Sequence, residues 1–373
     1  MFLLRISRRT KGRDLGRMHM SKKIVFLGTP GVAATCLSIL FEESKSNSNF
    51  EIVAAVSQPP ARANRGMKVT KSPVHELAER LSIPVYCPVK PSEVDFISVM
   101  HQLNVDLCVT AAYGNYLPKK FLSIPKFGTL NIHPSLLPKY RGASPVQKCI
   151  ESGDTQTGVT VLFSESKMDG GPILRQSVPL LLIGDEKAPA LTQRLFIEGC
   201  QLLISALPSV FKGDAKLSYQ DDCQATVAPK LTVAESTIDF ATMTAVSIDR
   251  KVRAFVGWPG TWTFLSIGDN NAPLRVKIVN AMVLEDKQDP EIICQQGGVV
   301  PNSSSNLVIP QKIAPQQYVL RVTCADGSVL GILDLQPQFK KSMSAAAFVN
   351  GLRGKTVRWH SPAQLMDSSH NCQ

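Results

Sequence analysis

The sequence predicts an α/β fold, in which a parallel β-sheet domain is followed by a small antiparallel β-barrel. Three observations carry this expectation. Up to residue 213, short apolar runs alternate with amphipathic helical stretches, the pattern of strands joined by crossover helices. Residues 214–229 are polar and poorly periodic, which places a linker there. Beyond residue 234, short alternating segments recur between Gly, Asn and Asp clusters, the pattern of a small barrel. The expected boundaries are an N-terminal arm over 1–22, a first domain over 23–213, a linker over 214–233, a barrel over 234–361 and a tail over 362–373.

The first strand is the apolar run 23–27, ending in Gly28-Thr29-Pro30-Gly31, after which 32–41 reads as a helix. Strand, glycine turn and helix open a Rossmann-like parallel sheet. The full G-x-G-x-x-G pattern is lacking, so these residues do not specify a dinucleotide site. Residues 51–56 form the second strand. The loop after it, Gln58 to Lys68, contains Arg62, Arg65 and Lys68 and no acid. It starts with two prolines and reads as mobile and electropositive. Ser72 caps the next helix, with Pro73 at its first position and Val74, Leu77, Ala78 and Leu81 inward. Ser92 is expected to start another helix, facing Phe96, Val99, Met100 and Leu103 to the core. Strands follow at 105–111, 128–132 and 159–163, and a long helix carrying Leu191, Leu195, Leu202, Ala206 and Leu207 closes the domain. In the second domain a helix over 244–255 turns Ala245, Ile248, Val252 and Phe255 inward, with Arg250, Lys251 and Arg253 facing elsewhere. Strands are expected at 261–267, 274–284, 318–324 and 328–335, and 302–306 is a Ser/Asn-rich loop.

The stretch Gly128-Thr129-Leu130-Asn131-Ile132-His133-Pro134-Ser135-Leu136-Leu137-Pro138 organises the chain. Residues two apart on a strand share a face, so Asn131 and His133 project together as the strand ends. Pro134 and Pro138 exclude a continuing central strand and make 135–138 a rigid loop. An amide beside an imidazole suits a carbonyl that becomes an oxyanion. On its own, an Asn-x-His pair reads first as a polar strand end satisfied by backbone. Likewise Asp169, before Gly170-Gly171, reads on its own as a turn aspartate. Tyr113 and Gly114 follow a buried run, at the carboxyl end of a strand where open parallel sheets bind ligands.

Composition narrows the classes. The hydrophobic content of 44% and charged content of 19% are those of a globular protein. The nine cysteines form no C-x-x-C pair and no Cys/His cluster at zinc spacing, so no metal is expected, and a reducing compartment is. Apolar runs fall short of the roughly 18 residues that cross a bilayer, and no membrane partner is expected. Arg5, Arg8, Arg9, Lys11, Arg13, Arg17, Lys22 and Lys23 face one acid, Asp14, so most of the formal +11 sits in an N-terminal arm. An Arg-rich, acid-poor start without a secretory apolar core fits an organellar transit peptide, which points to the mitochondrion, with the plastid as the alternative.

Asn131-Ile132-His133-Pro134-Ser135-Leu136-Leu137-Pro138 with Tyr140-Arg141-Gly142, and then Met168-Asp169-Gly170-Gly171-Pro172, resembles the signature of the folate-dependent formyltransferases. The resemblance implies direct formyl transfer from 10-formyltetrahydrofolate, with catalytic roles on Asn131, His133 and Asp169. It places Ser135, Leu136, Leu137 and Pro138 in the formyl-folate loop, and Tyr113 and Gly114 beside it. Phe26-Leu27-Gly28-Thr29-Pro30, Ala228-Pro229-Lys230-Leu231, Arg253-Ala254-Phe255, Trp258-Pro259 and Leu335-Gln336-Pro337 look like the branch of that family acting on initiator methionyl-tRNA. In that branch the loop bearing Arg65, with Arg62 and Lys68, meets the tRNA. Pro60-Ala61-Arg62 departs from the usual Asp-Arg-Pro and shifts one cation. Met168-Asp169-Gly170-Gly171 leans toward the purine-pathway form of the motif. The second expectation is a formyltransferase or formyl-folate hydrolase acting on a small molecule. A monomer is expected.

Overall fold

The computed structural model describes residues 21–46, 49–63, 68–268, 272–285, 307–314 and 317–362. The N-terminal arm, Arg65, the 302–306 loop and the tail beyond Pro362 lie outside the described residues. The first domain runs β1 (Lys22–Gly28), α1 (Gly31–Ser46), β2 (Phe50–Val56), β3 (Ala61–Ala63), β4 (Lys68–Thr70), α2 (Pro73–Arg80), β5 (Val85–Tyr86), α3 (Val94–Gln102) and β6 (Leu107–Ala111). It continues through α4 (Lys119–Leu122), β7 (Thr129–His133), α5 (Pro145–Ser152), β8 (Gln156–Thr157), β9 (Thr160–Phe163), β10 (Ile173–Gln176), β11 (Leu180–Leu181) and α6 (Ala188–Lys212). The second domain runs α7 (Ala245–Ala254), β12 (Thr261–Ile267), β13 (Leu274–Leu284), β14 (Leu307–Ala314), β15 (Gln317–Thr323), β16 (Val329–Pro337), β17 (Met343–Ser344), α8 (Ala345–Leu352) and β18 (Val357–His360).

The main sheet has the order β10-β9-β7-β6-β1-β2-β5. Its strands β5, β2, β1, β6 and β7 are parallel. β1 sits at the centre with both faces covered. Ile24 and Phe26 pack into one apolar cluster, while Val25 and Leu27 pack into the other. Burial on both faces is why the strand reads as a continuous apolar run rather than an alternating one. At its end a Cβ on Gly28 would stand 2.6 Å from the Ala33 Cβ and 2.9 Å from the Ala111 carbonyl oxygen, so this close turn admits only glycine. Ser72 caps α2, accepting from the His75 N–H at 3.1 Å, with Pro73 at the first turn as the spacing predicts. α3 starts at Val94 rather than at Ser92. The Glu93 carboxylate takes the Lys90 N–H at 2.9 Å and draws the preceding residues into a turn.

The sheet is not parallel throughout. β9 runs antiparallel to β7, with His133 opposite Thr160, and β10 runs antiparallel to β9. The helix between β7 and β9 has only eight residues, about 12 Å of rise, and the chain re-enters the sheet at the end it had just left. A parallel neighbour needs a full crossover to the other end. The reversal has a functional consequence, because it brings the loop between β9 and β10 back onto β7.

α6 is long and apolar enough by composition to cross a bilayer, but its residues from Leu191 through Val210 form a buried stripe in the core of the first domain. In the second domain the antiparallel ring β13-β12-β18-β14-β15-β16 closes by pairing β16 with β13, giving a six-stranded barrel. α7 joins the two domains. Ala245, Ile248 and Val252 enter the barrel core. Ala254 and the fully buried Phe255 enter the core of the first domain instead, so Phe255 does not share the barrel face expected for it. Burying Phe255 contributes roughly 1.5–3 kcal/mol to holding the domains together.

Candidate active site

β7 delivers Asn131 and His133 from one face, as the period-2 reading requires. Beside it on β6, the Thr110 hydroxyl donates to Asn131 Oδ1 at 2.7 Å. That bond orients the amide, so Nδ2 is the group left to donate. Asn131 Nδ2 approaches Asp169 Oδ1 at 3.3 Å. His133 is buried, and its Nε2 lies 2.9 Å from the Tyr140 carbonyl oxygen. A carbonyl only accepts, so Nε2 carries a hydrogen and Nδ1 keeps its lone pair. Nδ1 faces Asp169 Oδ2 at 3.7 Å. The Gly142 N–H donates to the same carboxylate oxygen at 2.9 Å. The structure therefore brings Asn131, His133 and Asp169 into one constellation.

Backbone strain clusters around this point. Ala112, Tyr140 and Asp169 all have positive φ, at 46°, 63° and 48°. Each lies on a loop that borders the constellation, and strained non-glycine residues concentrate at functional sites. The Asp169 turn is held close to the sheet. A Cβ on Gly171 would fall 2.0 Å from the Phe163 carbonyl oxygen, which is why glycine follows the aspartate here.

The loop 134–138 divides into buried anchors and half-buried positions. Ser135 is buried and its hydroxyl donates to the Lys139 carbonyl at 2.7 Å. Leu137 is buried too, its N–H given to Thr160 Oγ1 at 3.1 Å and its carbonyl taken by Gln176 Nε2 at 2.9 Å. Leu136 and Pro138 stay half-buried. Tyr113 is buried, and its carbonyl accepts from Thr29 Oγ1 at 2.9 Å and from Gln58 Nε2 at 3.2 Å. Burial pushes its phenol above the ordinary range. Gly114 has φ +86° and turns the chain toward a cleft of about 260 Å³ lined by residues including Lys90, Asn115 and Tyr116. The Tyr116 hydroxyl reaches the Ser166 carbonyl at 3.1 Å, tying this segment to the Asp169 loop. An apolar groove lined by Lys22, Asn49, Phe50 and Phe211 lies at the amino ends of β1 and β2, away from these residues.

Within the cationic loop, β3 and β4 form a two-stranded sheet of their own. Arg62 ends on β3 and Lys68 begins β4, and the two strands pair antiparallel with Ala63 opposite Lys68. Part of the expected mobile loop is thus paired strand, and Arg65 lies outside the described residues. Arg250, Lys251 and Arg253 do not form a free cationic face. Lys251 Nζ lies 3.6 Å from Glu151 Oε1, and Arg253 donates to Asp249 Oδ2 at 2.9 Å and to the Glu186 carbonyl at 3.2 Å. The Arg250 guanidinium fills the space that a side chain on Gly153 would need, at the carboxyl end of α5. A cation there meets the negative end of the helix, so this triplet docks the domains together.

Sequence reasoning missed four supporting residues: Thr110, which holds Asn131, Gln220, whose amide donates to the Asp169 carbonyl, Asp222, which accepts from Arg141, and Thr226, whose hydroxyl accepts the Tyr140 N–H at 2.8 Å. Thr110 lies in an apolar run and the others in the polar segment taken as a linker. Among the described residues, no three His, Cys, Asp or Glu side chains converge as a metal site.

Comparison with known proteins matches residues 22–207 to the formyl transferase family and residues 230–353 to its C-terminal domain. A methionyl-tRNA formyltransferase of Lactiplantibacillus plantarum is 33% identical over 332 residues, covering 89% of this chain and 96% of that protein. A methionyl-tRNA formyltransferase of Myxococcus xanthus is 34% identical over 329 residues, covering 88% and 95%. The sugar 3N-formyltransferase WlaRD, crystallised in the presence of dTDP and 5-N-formyl-THF, aligns with a TM-score of 0.53 at 16% identity, over 87% of this chain and all of that one. At that identity the last likeness speaks to fold alone.

Proposed function

Because this chain belongs to the formyl transferase family, we propose that it moves the formyl group of 10-formyltetrahydrofolate onto the amino group of methionine on initiator methionyl-tRNA. The observation that carries this reading is the likeness to two methionyl-tRNA formyltransferases along nearly their whole length, barrel included. The geometry suits the chemistry. The amine nitrogen attacks the formyl carbon, a C–N bond forms, and the formyl oxygen becomes an oxyanion. Asn131 Nδ2, held outward by Thr110, donates to that oxygen. The proton leaving the amine passes to His133 Nδ1, whose positive charge the Asp169 carboxylate stabilises from 3.7 Å. When the adduct collapses, the bond from the formyl carbon to the folate nitrogen breaks and that nitrogen takes up a proton.

The residues of the folate loop divide this task by burial. Leu136 and Pro138 present surface to the folate, and Ser135 and Leu137 anchor the loop from beneath. Tyr113 and Gly114 form the facing wall. The deciding assay incubates the purified chain with 10-formyltetrahydrofolate and charged initiator tRNA and measures formyl-methionine. Formylation of a small amine with no product on the tRNA would select the small-molecule reading.

Arg65 serves the tRNA rather than the folate. In sequence it lies between Arg62 and Lys68 in a stretch that lacks acids, and guanidinium groups bind phosphate and stack on bases. Arg65→Ala is expected to lower tRNA formylation at least about tenfold while folate affinity stays within about twofold, because the folate loop is a separate segment. Equal losses in both would remove this division of labour.

The arm over 1–22 directs the chain into an organelle, the mitochondrion by its Arg-rich, acid-poor composition. A chain begun at Met20 should keep full activity in vitro and fail to enter isolated mitochondria. Loss of activity in that shortened chain would make the arm part of the enzyme.

A further inference from the structure

We propose that Gln220, on the segment joining the two domains, is a positioning residue for the Asp169 carboxylate; the proposal rests on the reading of Asp169 as a catalytic group. Gln220 lies 51 residues from Asp169 in sequence. Its side-chain amide is committed completely. The two Nε2 hydrogens go to the Asp169 and Gly171 carbonyl oxygens, each at 2.8 Å. Its Oε1 accepts from Arg141 Nε at 3.0 Å and from Arg141 Nη2 at 2.8 Å. Arg141 is buried, and its third donor, Nη1, reaches Asp222 Oδ1 at 2.8 Å. Lys167, just before the Asp169 turn, takes the other Asp222 oxygen. The ring of contacts is closed, from Arg141 through Gln220 to the Asp169 turn, and through Lys167 and Asp222 back to Arg141.

This ring controls both partners of the site. The two neighbours of Arg141 touch the constellation directly. The Tyr140 carbonyl holds the His133 Nε2 hydrogen, and the Gly142 N–H holds Asp169 Oδ2. Asp169 itself has φ +48°, a conformation that only its surroundings can hold in place for a non-glycine residue. Among the described residues Gln220 donates from its side chain to the backbone of that turn, holding the strained residue's own carbonyl and the carbonyl two residues on. The segment carrying it is pinned at both ends. Ser218 and Ile173 exchange backbone bonds of 2.9 and 2.8 Å, and the Arg141 N–H donates to the Thr226 carbonyl at 2.8 Å. The joining segment is therefore part of the active-site wall, and Gln220 sets the distance from Asp169 to His133 without touching the reacting atoms.

The test uses the full chain and steady-state formyl transfer. Gln220→Ala should lower kcat by about 10- to 100-fold and leave KM for the formyl donor within about threefold, since displacing a catalytic group by about 1 Å costs on the order of 10². Gln220→Glu is the sharper variant, being nearly isosteric and keeping the Arg141 contact. It lacks the hydrogens for the two carbonyls, and should lose kcat as far as alanine does. In an Asp169→Asn background, Gln220→Ala should add less than about twofold, because it acts through the carboxylate already removed. A Gln220→Glu enzyme with wild-type kcat, or a full independent loss in the double variant, would overturn the proposal. Near wild-type activity of Asp169→Asn alone would instead overturn the catalytic reading of Asp169, and the single variants tell these outcomes apart. Matching thermal melts for Gln220→Glu and wild type separate the effect from unfolding.

Discussion

Asp169→Asn should cut formyl transfer by about 10²–10⁴-fold while leaving the fold intact. The substitution keeps size and shape and removes the charge that faces His133 Nδ1 at 3.7 Å. It also turns one carboxylate oxygen into a donor. The two oxygens of Asp169 now accept from Asn131 Nδ2 and from the Gly142 N–H, so an amide can serve only one of them. The backbone clamp on the turn uses the Asp169 carbonyl and survives the change. Folate binding, which the proposed function assigns to the loop 135–138 and the Tyr113 segment, should stay near wild type. His133→Ala should be equally inactive, but less cleanly so. It empties a buried position and strands the Tyr140 carbonyl, at a stability cost of about 1–3 kcal/mol. Single-turnover formyl transfer with a thermal melt separates the two effects. Activity above about a tenth of wild type in both variants would remove these residues from the mechanism.

Asn131→Ala should lower kcat by about 10²–10³-fold, the usual effect of deleting one oxyanion donor. The structure adds a companion variant that sequence does not suggest. The Thr110 hydroxyl holds Asn131 Oδ1 at 2.7 Å and so leaves Nδ2 as the donor, on the side of Asp169. Thr110→Val keeps the β-branched shape of a buried strand residue and deletes that bond. The amide is then free to turn, and kcat should fall by a smaller factor, about tenfold, with substrate KM little changed. In an Asn131→Ala background Thr110→Val should have no further effect. An unchanged rate for Asn131→Ala would show that the oxyanion is held elsewhere.

The constellation was legible because its members sit in short, dense motifs. Asn131 and His133 are two apart on a strand, and period-2 geometry alone puts them on one face. Asp169 lies in a glycine turn whose pattern belongs to the same family signature. The polar segment 214–229 gave no comparable sign. Gln220, Asp222 and Thr226 have no periodicity, and their partners lie 49 to 86 residues away. Arg250, Lys251 and Arg253 misled in the opposite direction. Their spacing on a helix suggests a solvated cationic face, yet Glu151 of α5, the space beside Gly153 and the Glu186 carbonyl just before α6 engage them from the other domain.

The alternation of strand and helix, the barrel pattern and the residue types at the strand end were readable from the chain alone. Each of these follows from local periodicity, from proline and glycine geometry, or from a contiguous motif. Only the tertiary structure decided that β9 reverses direction, that Phe255 crosses into the core of the first domain, and that the joining segment grips the Asp169 turn. These outcomes depend on which surfaces meet. A half-buried polar residue such as Gln220 carries the same local pattern whether its amide faces water or two carbonyls, and its partners exist only once the chain has closed.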